Sequence, residues 1–115
     1  MRISEEPSLE YTIDHVQKYL DGRIDIKAFW KPFPDILRLY FEYPEDPSHR
    51  LAYFWRRNSF NVRSIVQVGH AEMEPGYREY LTLWLGALQK PEEEWQEIVK
   101  RKGWALDDID PDWDK

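Results

Sequence analysis

Apolar residues near the start of the chain fall at Leu9, Ile13, Val16 and Leu20, an i, i+4, i+7, i+11 spacing that lays one stripe along a helix. Ser8 stands where a side-chain oxygen caps a first turn, and Gly22 where a left-handed residue ends a last one, so the pattern predicts a helix over residues 9–21. Asp25 is placed to cap a short turn through Ala28, Phe29 and Trp30. Pro32 and Pro34 then disfavour helical backbone at Lys31 and Phe33, which predicts an extended connector with apolar anchors over residues 23–34.

From Ile36 the period changes. Leu37, Leu39, Phe41 and Tyr43 alternate with Arg38, Tyr40 and Glu42, which puts the apolar set on one sheet face, and residues 44–48 read as a loop. Residues 51–55 are apolar on both faces, and residues 62–68 are rich in β-branched side chains, so the middle of the chain predicts a three-stranded antiparallel meander. A helical alternative competes, because Asp46-Pro47 also forms an N-cap and first-turn pair and Leu51, Phe54 and Trp55 also fit a helix face. Beyond Pro75, the stripe of Tyr77, Leu81, Trp84, Leu85 and Leu88 predicts a helix, and Lys90-Pro91 restarts the chain as another. Glu92, Glu93 and Glu94 in the first turn of that second helix, and Lys100, Arg101 and Lys102 in its last, complement its dipole. Trp95, Ile98 and Val99 form its buried face, and Gly103 ends it, with Trp104 folding back on Val99. The expected fold is α+β: an N-terminal helix and two C-terminal helices packed on one face of the meander, with an all-α bundle as the alternative. Residues 1–106 form a single globular domain in this reading, and residues 107–115 an acidic, flexible tail.

Composition narrows the function. The chain holds 115 residues with no cysteine, so thiolate nucleophiles, thiolate metal sites and disulfide frameworks are excluded together. Neither a secretory h-region nor an apolar run of membrane-spanning length is present, which predicts a cytoplasmic protein. Aromatic residues make up 16% of the chain, enough ring area to build the core and leave candidates for an exposed contact surface. The formal net charge of -6 is unevenly placed. Residues 47–71 contain Arg50, Arg56, Arg57 and Arg63 and no acid, whereas residues 107–115 carry five aspartates against one lysine.

Three sets of residues are candidates for chemistry or contact. His70, Glu72 and Glu74 would share one side of an extended chain, a donor set suited to a divalent metal or to acid–base work, with a strand end running into a capped helix as the bland reading. Trp55, Arg56, Arg57, Phe60 and Arg63 offer rings to stack on bases and guanidinium groups to pair with phosphates, although the overall negative charge opposes approach to a polyanion. Glu92, Glu93, Glu94 and Glu97, with Asp107, Asp108 and Asp110, present carboxylates beside tryptophans and suit a basic protein partner. No Gly-x-Ser-x-Gly elbow or glycine-rich phosphate loop occurs, and no cofactor is expected.

The order Leu20-Asp21-Gly22-Arg23-Ile24-Asp25-Ile26-Lys27-Ala28-Phe29 resembles a pattern common in small bacterial immunity proteins of the colicin-D-immunity type: helix, Gly, one residue, Ile, then an aromatic five on. That resemblance implies a compact helix bundle that acts on a toxin, while residues 36–68, read as strands, depart from it. No partner-binding residue is carried over. The function expected from the sequence is a non-enzymatic, acidic interaction module, an inhibitor or immunity-type protein that occludes a protein partner. The alternatives are a nucleic-acid-binding regulator using the basic-aromatic run, and a small metal-dependent or acid–base enzyme.

Overall fold

A computed structural model describes residues 7–40 and 49–102, and among these residues there is no strand. The expected α+β fold is therefore corrected to an all-helical one. The elements run α1 (Leu9–Leu20), α2 (Ile26–Trp30), α3 (Phe33–Leu39), α4 (Arg50–Arg63), a π-helical turn (Ser64–Val68), a 3-10 turn (Ala71–Met73), α5 (Glu74–Leu88) and α6 (Glu92–Lys102). The tail, Gly103 and Trp104, and the Asp46-Pro47 pair lie outside the described residues.

Local signals at the two ends of the chain operate as the sequence indicates. The Ser8 hydroxyl accepts from the Tyr11 N–H at 2.9 Å, the Asp25 carboxylate from the Ala28 N–H at 2.8 Å, and Gly22 takes φ 77 just beyond α1. The middle of the chain departs from expectation for identifiable reasons. Lys31 is helical at φ -47, ψ -45 despite preceding a proline, and Pro34 sits in the first turn of α3, where its missing N–H breaks no hydrogen bond. Phe33, Ile36, Leu37 and Tyr40 then follow an i, i+3, i+4, i+7 spacing that outweighs the apparent alternation beginning at Leu37.

Residues 51–55 are apolar on both sides because α4 runs through the middle of the protein. Ala52, Tyr53, Phe54, Trp55, Asn58 and Val62 are all buried, and the cap is His49, whose Nδ1 accepts from the Ala52 N–H at 3.2 Å. The β-branched run enters the π turn, where Ile65 packs inward, and Gly69 ends that turn at φ 96.

α1 packs along α5, and α2 and α3 pack against α4. The core is largely aromatic: His15 stacks on Phe29 at 4.8 Å, Phe33 meets Trp55 edge-on at 4.8 Å, and Trp84 stacks on Trp95 at 6.0 Å. Polar side chains lock the helices together. Trp55 Nε1 donates to the Thr12 hydroxyl at 3.3 Å, and the Tyr77 hydroxyl donates at 3.0 Å to Asn58, whose amide donates to the Phe54 carbonyl. The Tyr19 hydroxyl donates to Glu74 at 2.6 Å, and burial followed by this carboxylate pushes its pKa up, so it stays protonated.

Arginines close two helix ends. Arg78 stacks over the Tyr19 ring at 4.7 Å and donates to the Leu20 carbonyl at 2.7 Å, satisfying the C-terminus of α1. Arg50 is buried, at 5% exposure; its Nη1 donates to the Ala87 and Lys90 carbonyls at 3.0 and 2.6 Å, and its Nη2 pairs with Glu92 at 3.0 Å. No helix among the described residues is long and apolar enough to cross a membrane.

Candidate functional site

Helical geometry divides the residues that the sequence grouped for nucleic-acid contact. At about 100° per residue, Trp55 turns into the core with Asn58 and Val62, whereas Arg56, Phe60 and Arg63 lie along a different stripe of α4. Trp55 is fully buried. Arg56 is half-buried and donates from Nη1 to the Tyr40 carbonyl at 2.7 Å, and Arg57 borders a separate groove beside Tyr77 and Tyr80. Phe60, 66% exposed, and Arg63 remain on the surface.

Those two residues form one wall of a groove of about 460 Å3 between α3 and the end of α4. Trp30, Pro34 and Leu37 supply apolar lining, and Arg38, Ser59 and Gln67 of the π turn line the groove with them. Trp30 stacks on the buried Phe33 ring at 5.4 Å, so the floor is tied to the core. The Arg38 side chain is 80% exposed and reaches Asp35 with Nη1 at 3.3 Å. The Arg63 side chain makes no hydrogen bond or ion pair among the described residues. The π turn follows Arg63 directly, and its Gln67 also lines the groove. Sequence reasoning found Phe60 and Arg63 but missed Trp30, Leu37 and Arg38, because a strand places Leu37 and Arg38 on opposite faces while a helix lets neighbours border one groove.

The His70 set also divides. His70 Nδ1 lies 2.9 Å from Glu72 Oε1, and both side chains are exposed, whereas Glu74 opens α5 and accepts the Tyr19 hydroxyl. The Glu72 carboxyl is held below its usual range first by the residue's own backbone N–H and then by His70. Among the described residues no group of three His, Asp or Glu could hold a metal ion, so the expected shared side of His70, Glu72 and Glu74 does not form.

The acidic set on α6 is partly engaged within the chain. Glu92 pairs with Arg50 and accepts from Gln96 at 2.9 Å, and Glu94 pairs with Lys90 at 3.2 Å. Glu93 and Glu97 stand one turn apart, both exposed. Asp107, Asp108 and Asp110 lie outside the described residues. Arg50, grouped in the sequence with the basic stretch of residues 47–71, serves as an internal tie. Compared with protein-family models, curated proteins and solved structures, the chain matches none.

Proposed function

We propose that the protein is a non-enzymatic interaction module, of inhibitor or immunity type, that occludes a protein partner through the α3–α4 groove. The observation that carries this reading is Phe60, a ring left 66% exposed in a groove that Arg38 and Arg63 also line, in a chain that buries Phe29, Phe33 and Phe54 completely. Aromatic and arginine side chains supply most binding energy at protein interfaces, and a site fixed to the core loses little freedom when it is covered. Glu93 and Glu97 offer a second, acidic contact on α6. The likeness of residues 20–29 to colicin-D-type immunity proteins supports the same reading, since it implies a compact helical bundle. The nucleic-acid alternative is weakened by Trp55, whose burial prevents any base from stacking on it.

Quantitative affinity capture from the host, with the full chain and with a Phe60→Ala/Arg63→Ala variant, tests the proposal. A protein partner bound near stoichiometry and depleted about tenfold or more on the variant is expected, tenfold being roughly 1.4 kcal/mol. Equal recovery on both, or no stoichiometric protein on either, would overturn it; near-UV circular dichroism establishes that the variant is folded.

A further inference from the structure

The α3–α4 groove carries a charge opposite to the net -6 of the chain. Trp30, Pro34, Leu37 and Phe60 line it together with Arg38 and Arg63, and no carboxylate is among its lining residues. A groove along α1 is the reverse: Leu9, Tyr11 and Ile13 line it with Glu10 and Asp14, and no cation joins them. Resting on the proposed use of the α3–α4 groove for partner contact, we infer that it takes a short acidic segment of the partner protein, one bulky apolar side chain with carboxylates next to it. The apolar side chain meets Phe60, Trp30 and Leu37, and the carboxylates pair with Arg38 and Arg63.

Both cations are available to such a segment. The Arg63 side chain is exposed and makes no hydrogen bond or ion pair among the described residues. Arg38, 80% exposed, reaches Asp35 at 3.3 Å, a contact that leaves further guanidinium N–H donors for an incoming acid. The planar fork of an arginine matches the two oxygens of a carboxylate. Covering the same guanidinium groups with apolar or basic residues would strip their water and supply no partner, so acids next to the apolar side chain are what the groove requires. Its volume of about 460 Å3 suits one large side chain and the residues beside it.

Other occupants fit less well. A nucleic acid brings a dense row of phosphates against a chain of net charge -6, whereas a peptide brings a few carboxylates to the groove alone. Arg56 and Trp55 add no hold on such a polyanion, because one donates to the Tyr40 carbonyl and the other is buried. A second copy meeting groove to groove would set guanidinium groups against their own kind. The inferred segment also reverses the sign of partner that α6 suits: Glu93 and Glu97 match basic residues, and this groove selects acidic ones. A partner that presents both signs is held in one orientation.

Fluorescence anisotropy of labelled peptides added to the full chain tests the inference. The probe is a tryptophan flanked on both sides by glutamates, with counterparts that carry glutamine or lysine in place of glutamate, or serine in place of tryptophan. The glutamate peptide should bind about threefold or more tighter than the glutamine one, as exposed ion pairs allow, and the lysine peptide should bind more weakly still. Arg38→Glu/Arg63→Glu should invert that order. Phe60→Ala should weaken the glutamate peptide about tenfold, as should loss of the peptide's tryptophan. Near-UV circular dichroism establishes that both variants are folded. Equal binding of the three charge forms, an order unchanged by charge reversal, or no binding of any peptide overturns the inference. Tighter, Phe60-dependent binding of a single-stranded oligonucleotide also overturns it and assigns the groove to nucleic acid. Self-association in sedimentation that is lost on Phe60→Ala overturns it too, in favour of a second copy. If the peptide order fails while the captured partner still depends on Phe60 and Arg63, this inference falls and the partner reading stands. Peptides that behave as expected, with no stoichiometric partner captured, sink the partner reading and leave the groove's preference for acidic segments in place.

Discussion

Replacing Arg50 with methionine probes whether this arginine is a structural tie or a surface cation. Methionine keeps an apolar stem against Trp95, whose ring lies 5.9 Å from the guanidinium carbon, and leaves no buried charge. It removes both guanidinium hydrogen bonds where α5 ends and α6 begins, but the Ala87 carbonyl still accepts from the Lys90 N–H at 3.3 Å. Loss of the Ala87 bond therefore costs about 1 kcal/mol net, and the Lys90 carbonyl, only partly buried, loses its arginine donor at the low end of the roughly 1–3 kcal/mol for an unsatisfied acceptor. Glu92 is 55% exposed, so loss of its ion pair adds less than about 1 kcal/mol. The sum is about 2–3 kcal/mol, a large part of the roughly 5–15 kcal/mol that holds a domain together. Urea unfolding followed by tryptophan fluorescence should show this loss at an unchanged denaturant slope. Glu92→Gln should cost less than about 1 kcal/mol in the same assay. An Arg50→Met protein within about 0.5 kcal/mol of wild type would refute the reasoning, as would a Glu92→Gln protein equally destabilised, because the exposed ion pair would then dominate the carbonyl ties.

Two further outcomes follow from buried polar groups. The Trp84 indole N–H is buried without a hydrogen-bond partner among the described residues, whereas the Trp55 N–H is bonded to Thr12. Trp84→Phe removes an unsatisfied donor and Trp55→Phe breaks a bond, so denaturant titration should find Trp55→Phe the more destabilising by about 1 kcal/mol or more; the reverse order would contradict the assignment. Burial lowers the His15 pKa from 6.5, against the opposing pull of the Phe29 carbonyl, which accepts from Nε2 at 2.8 Å. The folded state therefore binds this proton less readily than the unfolded chain, and its contribution to stability is full above the ordinary value and lost as pH falls toward the folded one. Unfolding free energies measured from pH 7 downward should fall more steeply for wild type than for His15→Phe, and parallel curves would exclude the histidine as the cause.

Local chemistry was legible wherever a single residue type decides the backbone. Ser8, Gly22, Asp25, Pro75 and Pro91 mark helix starts and ends, and each helix next to them forms. The middle was misread because its period is ambiguous. A run apolar on both sides, such as residues 51–55, fits a buried strand or a helix enclosed by the core, and only the packing of α2, α3 and α5 around α4 selects the helix. The β-branched residues of the π turn favour strands only as isolated propensities, which tertiary contact overrides. The groove was half legible for the same reason: Phe60 and Arg63 belong to one conspicuous run, while Trp30, Leu37 and Arg38 join them only once α3 is seen to lie beside α4.

Arg50, Arg56 and Arg78 all end on main-chain carbonyls within the protein, whereas Arg38 and Arg63 face water at the groove. Dissolved ions screen exposed charges over about 10 Å at 0.1 M but act weakly on enclosed ones. Ionic strength should thus loosen whatever the groove holds while leaving the helices assembled, so added electrolyte acts on recognition and folding unequally. The cations that build this molecule and those available to grip something else are different residues.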